Sequence, residues 1–198
     1  MGDIDINIGI DVDAVAGWLG SYGGEDSRAD LSRGLSAGTE GIPRMLQVFE
    51  DEGIDTSWFV PGHTLETFRE EIQAVADAGH ELGIHGYSHE NPTDREQEAT
   101  IIEASIDLIE DLTGSRPVGH RASWWEFSEH TADLLAEYDF EYDSSLMEGE
   151  FEPRQVRAGD SWEKIDYEQA PESWMKPYQY DEELDVVEVP ISWYRDDI

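Results

Sequence analysis

The chain has no cysteine, which excludes disulfides and thiolate ligation, so any metal it holds must be bound through imidazole and oxygen. Lysine is nearly as scarce: of 12 basic residues only two, Lys164 and Lys176, are lysines. Positive charge as a whole is outweighed by 47 Asp and Glu, giving a formal net charge of -35 over 198 residues. Such a surface repels the phosphate backbone, so nucleic acid is not an expected partner. No uninterrupted apolar stretch approaches the roughly 18 residues of a membrane helix, and the N-terminus lacks the charged, apolar and small-residue succession of a signal peptide. The expectation is a soluble, cytoplasmic protein without a membrane partner.

What is present is acid spread along the whole chain and interleaved with apolar residues at helical and strand spacing, which argues for a folded protein rather than a disordered acidic tail. Diffuse acidity with few lysines resembles proteins of salt-in halophiles. At about 1 M salt the Debye length is roughly 3 Å, so self-repulsion is screened there and not at about 0.1 M. A length of 198 residues suits one domain with a substantial core, and no boundary is evident.

Strand-like and helix-like patterns alternate, which predicts parallel strands with helical crossovers. Strands are expected at Asp3–Asp13, Thr56–Val60, Glu81–His85, Val118–Ala122, Phe140–Ser144 and Val186–Ile191. Helices are expected at Ile42–Glu52, at Thr64–Ala78 with Thr64 as cap and Gly79 as stop, at Thr93–Leu112 and at Ser128–Glu137. The Gly-rich segment Gly17–Gly41 fits neither period and is expected to be a long surface excursion, and Met147–Leu184 a long loop or small subdomain.

The residues with chemistry in them fall at the ends of these strands: Asp11 and Asp13, His63, His85 and His89, Arg121, and Asp143. Sites of parallel α/β barrels are built at that rim. Period two puts Asp11 and Asp13 on one face. If they meet His85 and His89, two imidazoles and one carboxylate give three ligands to a divalent cation with an open position for water, and a second carboxylate remains as base. Two histidines four residues apart are, alone, more often structural than ligating. In so acidic a chain Asp11 and Asp13 alone would pass for solvated acids, and Arg121 for half of a surface salt bridge. Tyr87, Trp124 and Trp125 offer apolar walls for a ring-shaped substrate, although tryptophans are more often core or interface residues. His63 suits a cap as well as a substrate contact.

Together, and in this order, these residues resemble the polysaccharide deacetylases of carbohydrate esterase family four, the NodB-homology domains, over most of the chain. Asp11-Val12-Asp13 resembles the first motif, His85-x-x-x-His89 the second, Arg121-Ala122-Ser123-Trp124 the third and Asp143-Ser144-Ser145 the fourth. The phrases Gly17-Trp18-Leu19-Gly20-Ser21-Tyr22-Gly23-Gly24, Pro61-Gly62-His63 and Trp124-Trp125-Glu126-Phe127-Ser128 look most like the cytoplasmic branch related to peptidoglycan deacetylases and cofactor-free allantoinases. The resemblance implies a distorted or incomplete (β/α) barrel. Asp11 would be the catalytic base and Arg121 the residue that holds it. Asp13, His85 and His89 would bind a divalent metal, with zinc expected, and Asp143 would line the substrate groove. It further implies a homo-oligomer and a hydrolase of non-peptide carbon–nitrogen bonds. An N-acetyl-sugar deacetylase is the first expectation; a hydrolase of cyclic ureides or imides and a catalytically silent carbohydrate-binding relative are the alternatives.

The pattern departs from the family at four points. Val12 separates two acids that are usually adjacent, and Ser123 stands where proline is usual. No histidine follows His130 to serve as the fifth-motif acid. The chain ends at Ile198, soon after the sixth expected strand, where members of this branch continue. The barrel is therefore expected to be open, or the chain to be a fragment, with an exposed strand edge that favours dimerisation.

Overall fold

Short apolar runs without alternation form parallel strands buried on both faces. Trp58, Phe59 and Val60 are each 1% exposed in the strand Ser57–Val60. The computed structural model describes residues 6–149, 151–174 and 176–191. Within them the strands are β1 Gly9–Asp11, β2 Ser57–Val60, β3 Glu81–Ile84, β4 Gly119–His120, β5 Tyr142–Asp143, β6 Arg154–Arg157 and β7 Glu183–Glu188. They form one sheet in the order β1-β2-β3-β4-β5-β7-β6. Every neighbouring pair from β1 to β5, and β5 with β7, is parallel, while β6 runs antiparallel against β7. Among the described residues the sheet does not close, with β1 and β6 at its edges. This is an α/β fold of the distorted, unclosed barrel type.

The helices are α1 Ala14–Gly20, α2 Arg28–Ser36, α3 Ile42–Glu52, α4 Gly62–Thr67, α5 Arg69–Asp77, α6 Arg95–Thr113 and α7 Thr131–Glu137. The spacing of Ile102, Ile106 and Ile109 in α6 buries one helical stripe. Asp94 caps this helix by accepting from the Gln97 amide at 3.0 Å. Leu134 and Leu135 of α7 and Ile72 and Val75 of α5 complete the core with no exposed surface. Burial of each such side chain contributes roughly 1.5–3 kcal/mol.

Three expectations are corrected. The segment Gly17–Gly41 is helical: α1 and α2 occupy most of it, and a π-helical turn, Ala37–Gly41, leads into α3. Gly34 and Gly38 serve close helix contacts, whereas Gly23 (φ 75°) lies in the turn after α1. A Cβ on Gly34 would lie 2.7 Å from the Ala14 carbonyl oxygen, and one on Gly38 would overlap the Phe68 ring. The helix expected at Thr64–Ala78 begins at Gly62 and breaks at Phe68 (φ -119°, ψ 43°). Thr64 does not cap it, because its hydroxyl donates to the Asp13 carbonyl at 2.8 Å. The Met147–Leu184 segment holds β6 and the start of β7, so the sheet has seven described strands. Residues 3–5 of the first expected strand and residues 192–198 lie outside the described residues.

Candidate metal centre

Strand β1 ends at Asp11, and the chain turns at buried Val12 straight into α1, with Asp13 at its N-terminal boundary. Asp13 is thus not part of the strand, and the sharp strand-to-helix turn, held by Thr64, brings it beside Asp11's end of the sheet. Strand β3 ends just before His85, and a tight loop with Gly86 (φ 70°) and His89 (φ 59°) in the left-handed region folds the second imidazole back over the first. The two rings sit 5.1 Å apart. His85 Nε2 lies 3.4 Å from Asp13 Oδ1, and His89 Nε2 lies 3.6 Å from Asp13 Oδ2. One donor atom from each of the three residues lies within 4.8 Å of the others.

This donor set fits a divalent cation on three grounds. In both histidines the ring nitrogen that faces away from Asp13 is already engaged: His85 Nδ1 is 2.8 Å from the Arg121 carbonyl, and His89 Nδ1 is 2.8 Å from Ser21 Oγ. A carbonyl only accepts, so the His85 proton sits on Nδ1 when the ring is neutral, leaving the Nε2 lone pair directed at Asp13. Asp13 Oδ1 is buried and has no hydrogen-bond partner among the described residues. The electrostatics agree. Burial pushes the Asp13 carboxyl up, but the neighbouring His85 and His89 imidazoles and the Tyr22 hydroxyl outweigh it and hold the pKa at about 2. Burial alone would lower His85, yet Asp11 and Asp13 raise it. For His89 burial dominates and the pKa falls. The pocket therefore stabilises positive charge next to a carboxylate that stays ionised.

Beside it, Arg121 donates from Nη1 to Asp11 Oδ1 at 2.7 Å. It is 8% exposed and pinned by Nε to the Ser144 carbonyl and Nη2 to Ser144 Oγ, both at 2.8 Å, with its guanidinium 4.1 Å from the Phe59 ring centroid. A guanidinium held at every edge leaves the Asp11 carboxylate little freedom of orientation.

The remaining expected site residues divide. Trp124 is 47% exposed and meets His89 edge-on at 5.2 Å, while Trp125 beside it is half-buried. Both have φ in the left-handed region, 58° and 55°, a conformation that costs on the order of 1–3 kcal/mol for a non-glycine residue. Tyr87 is half-buried, and its hydroxyl donates to Glu66 at 2.5 Å, a bond that raises its pKa. It borders an acidic groove of about 630 Å³ together with Ser88, Glu90, Asp94 and Ile101. His63 is half-buried at the start of α4, its amide bonded to the Tyr87 carbonyl at 2.7 Å. Asp143 is corrected: it has no exposed surface and does not line a groove. Strand alternation turns Ser144 toward Arg121 and sends Asp143 to the opposite face, where it accepts from His120 Nδ1 and from the Ser145 hydroxyl and amide, each of the latter at 2.9 Å. Ser21 and Tyr22, which carry no role on sequence grounds alone, also reach the centre: the Tyr22 hydroxyl donates to Asp13 Oδ2. The glycine-rich phrase that contains them is the available signal.

The family model for polysaccharide deacetylase matches residues 32–142. The peptidoglycan deacetylase of Helicobacter pylori is 53% identical over 198 residues, covering 99% of this chain and 68% of that protein. A crystal structure of a candidate polysaccharide deacetylase from Mycobacterium smegmatis is 32% identical with a TM-score of 0.76, covering 94% of this chain and 58% of the other. An allantoinase structure, 21% identical with a TM-score of 0.62 over 83% of this chain and 47% of the other, shares the fold. The chain spans between about half and about two thirds of the lengths of these relatives. With this match to the sequence, the sheet and the motif residues, the chain belongs to the polysaccharide deacetylase family, hydrolases of carbon–nitrogen bonds other than peptide bonds.

Proposed function

We propose that this chain is the catalytic domain of a zinc-dependent N-acetyl-sugar deacetylase that works in molar salt, with the relative from Helicobacter pylori suggesting peptidoglycan as the glycan. The observation that carries the reading is the meeting of the Asp13, His85 and His89 donor atoms within 4.8 Å, beside a carboxylate locked by Arg121. Two imidazoles and a carboxylate suit zinc with one position open. When bound, the ion supplies Lewis acidity toward an amide carbonyl and a water.

The chain's own residues do the rest. Asp11 Oδ1 is taken by Arg121, which leaves Oδ2 to receive the proton of the attacking water. The guanidinium keeps that carboxylate in place as it gains the proton. The hydroxide equivalent adds to the acetyl carbon, the C–N bond breaks, and the protonated Asp11 returns its proton to the leaving nitrogen, so that acetic acid and a free amine result. Trp124 and Trp125, held in a strained turn at the rim, form an apolar wall for the sugar ring, with Tyr87 and His63 bordering the same loop region.

The test is acetate release from N-acetylated chito-oligosaccharides and peptidoglycan fragments in molar KCl with added zinc, for wild type and Asp11→Asn. Turnover that falls by about 10²–10⁴-fold in the variant is expected, the usual contribution of a general base. Ring opening of a cyclic ureide without acetate release would move the assignment to the ureide hydrolases. Zinc-loaded protein inert toward both would make it a binding relative.

A further inference from the structure

Asp13 and His89, two of the three metal-facing residues, are not held in place by their own loops alone. Both are gripped from one side by a turn that follows α1. Ser21 Oγ lies 2.8 Å from His89 Nδ1. Tyr22 donates its hydroxyl to Asp13 Oδ2, and its ring packs edge-on against His89 and against Trp124, with centroids 5.2 Å away in each case. Trp18 closes on the same tyrosine at 5.2 Å. Because the tyrosine occupies Oδ2, the buried Oδ1 is the oxygen left without a partner among the described residues.

The approach is possible only because residue 20 has no side chain. A Cβ there would overlap the carbonyl oxygen of Ser88, the residue before the second histidine. A Cβ on Gly17 would likewise overlap the Tyr22 ring. The turn is therefore packed directly on the backbone that sets the conformation of His89, a residue with φ of 59°.

We infer that Gly20-Ser21-Tyr22 is a positioning clamp for the metal centre, in which Ser21 fixes the ring orientation of His89, Tyr22 fixes the Asp13 carboxylate, and the two together set metal affinity. The inference rests on the metal reading above. With His89 neutral and Nε2 presented to the ion, the proton sits on Nδ1 and donates to Ser21 Oγ at 2.8 Å, which holds the ring in the plane that aims Nε2 at the ion. The Tyr22 hydroxyl leaves one carboxylate oxygen for the ion and prevents the side chain from rotating away. Groups in these positions are typically worth about 10–100-fold in metal affinity. Neither side chain has to touch the substrate for this role.

The test measures the zinc dissociation constant by competition with a chromophoric chelator in molar KCl, for wild type, Tyr22→Phe, Ser21→Ala, Ser21→Thr and the Tyr22→Phe/Ser21→Ala double variant. Melting of the zinc-free proteins is followed in parallel. Tyr22→Phe keeps the ring packing and removes only the hydroxyl. The expected result is zinc binding weakened by about 10–100-fold in Tyr22→Phe and in Ser21→Ala. The double variant should be weaker than either, Ser21→Thr near wild type, and the zinc-free melting temperatures unchanged. Dissociation constants within about twofold of wild type for both single variants would overturn the clamp, since that is far below the usual effect of such groups. So would weakened binding that tracks a fall in the zinc-free melting temperature and is not rescued by threonine. A wild-type protein that binds no zinc would instead overturn the metal reading.

Discussion

Two carboxyl groups in the same fold show how the environment of one residue decides its charge. Asp13 is ringed by His85, His89 and Tyr22 and stays ionised to about pH 2. Glu188, 2% exposed on β7, has the opposite setting: burial and the neighbouring Asp143 push its pKa up, and the Ser145 and Leu146 amides at 3.2 and 3.0 Å from Oε1 only partly counter this. Its Oε2 has no partner among the described residues. A folded-state pKa raised above the ordinary glutamate value of 4.5 means that stability from this group is fully present below about pH 4.5 and is lost as the pH rises toward the folded value. Glu188→Gln mimics the neutral acid at all pH values. It should leave stability near wild type at pH 5 and raise it at pH 9 by on the order of 2 kcal/mol, roughly 4–8 °C in melting temperature for a chain of this size. Thermal melts in molar KCl across that range check this, and parallel wild-type and variant curves would refute it. At this same scale the sequence is legible where a residue ends a strand: Asp11, Asp13, His85, His89 and Arg121 stand out by position and come together in space. Asp143 is misread because a shift of one residue along a strand reverses the face, so Ser144 and not Asp143 turns to Arg121. Ser21 and Tyr22 escape notice, since Ser21 meets a partner 68 positions away through a helix that glycine spacing conceals.

Among the elements, legibility follows burial. Helix α6 announces itself by the spacing of Ile102, Ile106 and Ile109, so its position is readable to within two residues. Strands β2 and β3 are readable as apolar runs. Strands β4 and β5 pair over only two residues each, too few for any period to define, so the expected spans are longer than the ladders. Strand β6 is hidden because an edge strand with Arg154 and Gln155 exposed carries charge in place of an apolar pattern. The α1–α2 region is hidden for a different reason: Gly34 and Gly38 sit in helix contacts where a side chain would clash, and glycine in sequence normally signals a turn.

For the molecule as a whole the dominant influence is charge. Surface pairs such as Arg33–Asp30 and Arg157–Glu148 each contribute about 0–1 kcal/mol. With 12 basic residues against 47 acids they leave a net charge of -35 to be screened by solvent. The Debye length falls from about 10 Å at 0.1 M salt to about 3 Å at 1 M, so repulsion between neighbouring acids is suppressed only in the latter. Circular dichroism should therefore report a folded α/β protein at about 2 M KCl and loss of structure at about 50 mM, where screening is weak. A spectrum unchanged across that range would remove the case for adaptation to salt. Metal content per chain after dialysis in molar KCl, wild type against His89→Ala, decides whether Asp13, His85 and His89 form one metal site at the rim of this sheet. Close to one divalent ion per wild-type chain is expected, zinc when zinc is supplied, and its loss from a variant that remains folded. A folded wild-type chain that retains no metal, or a His89→Ala chain that retains it in full, would contradict such a site.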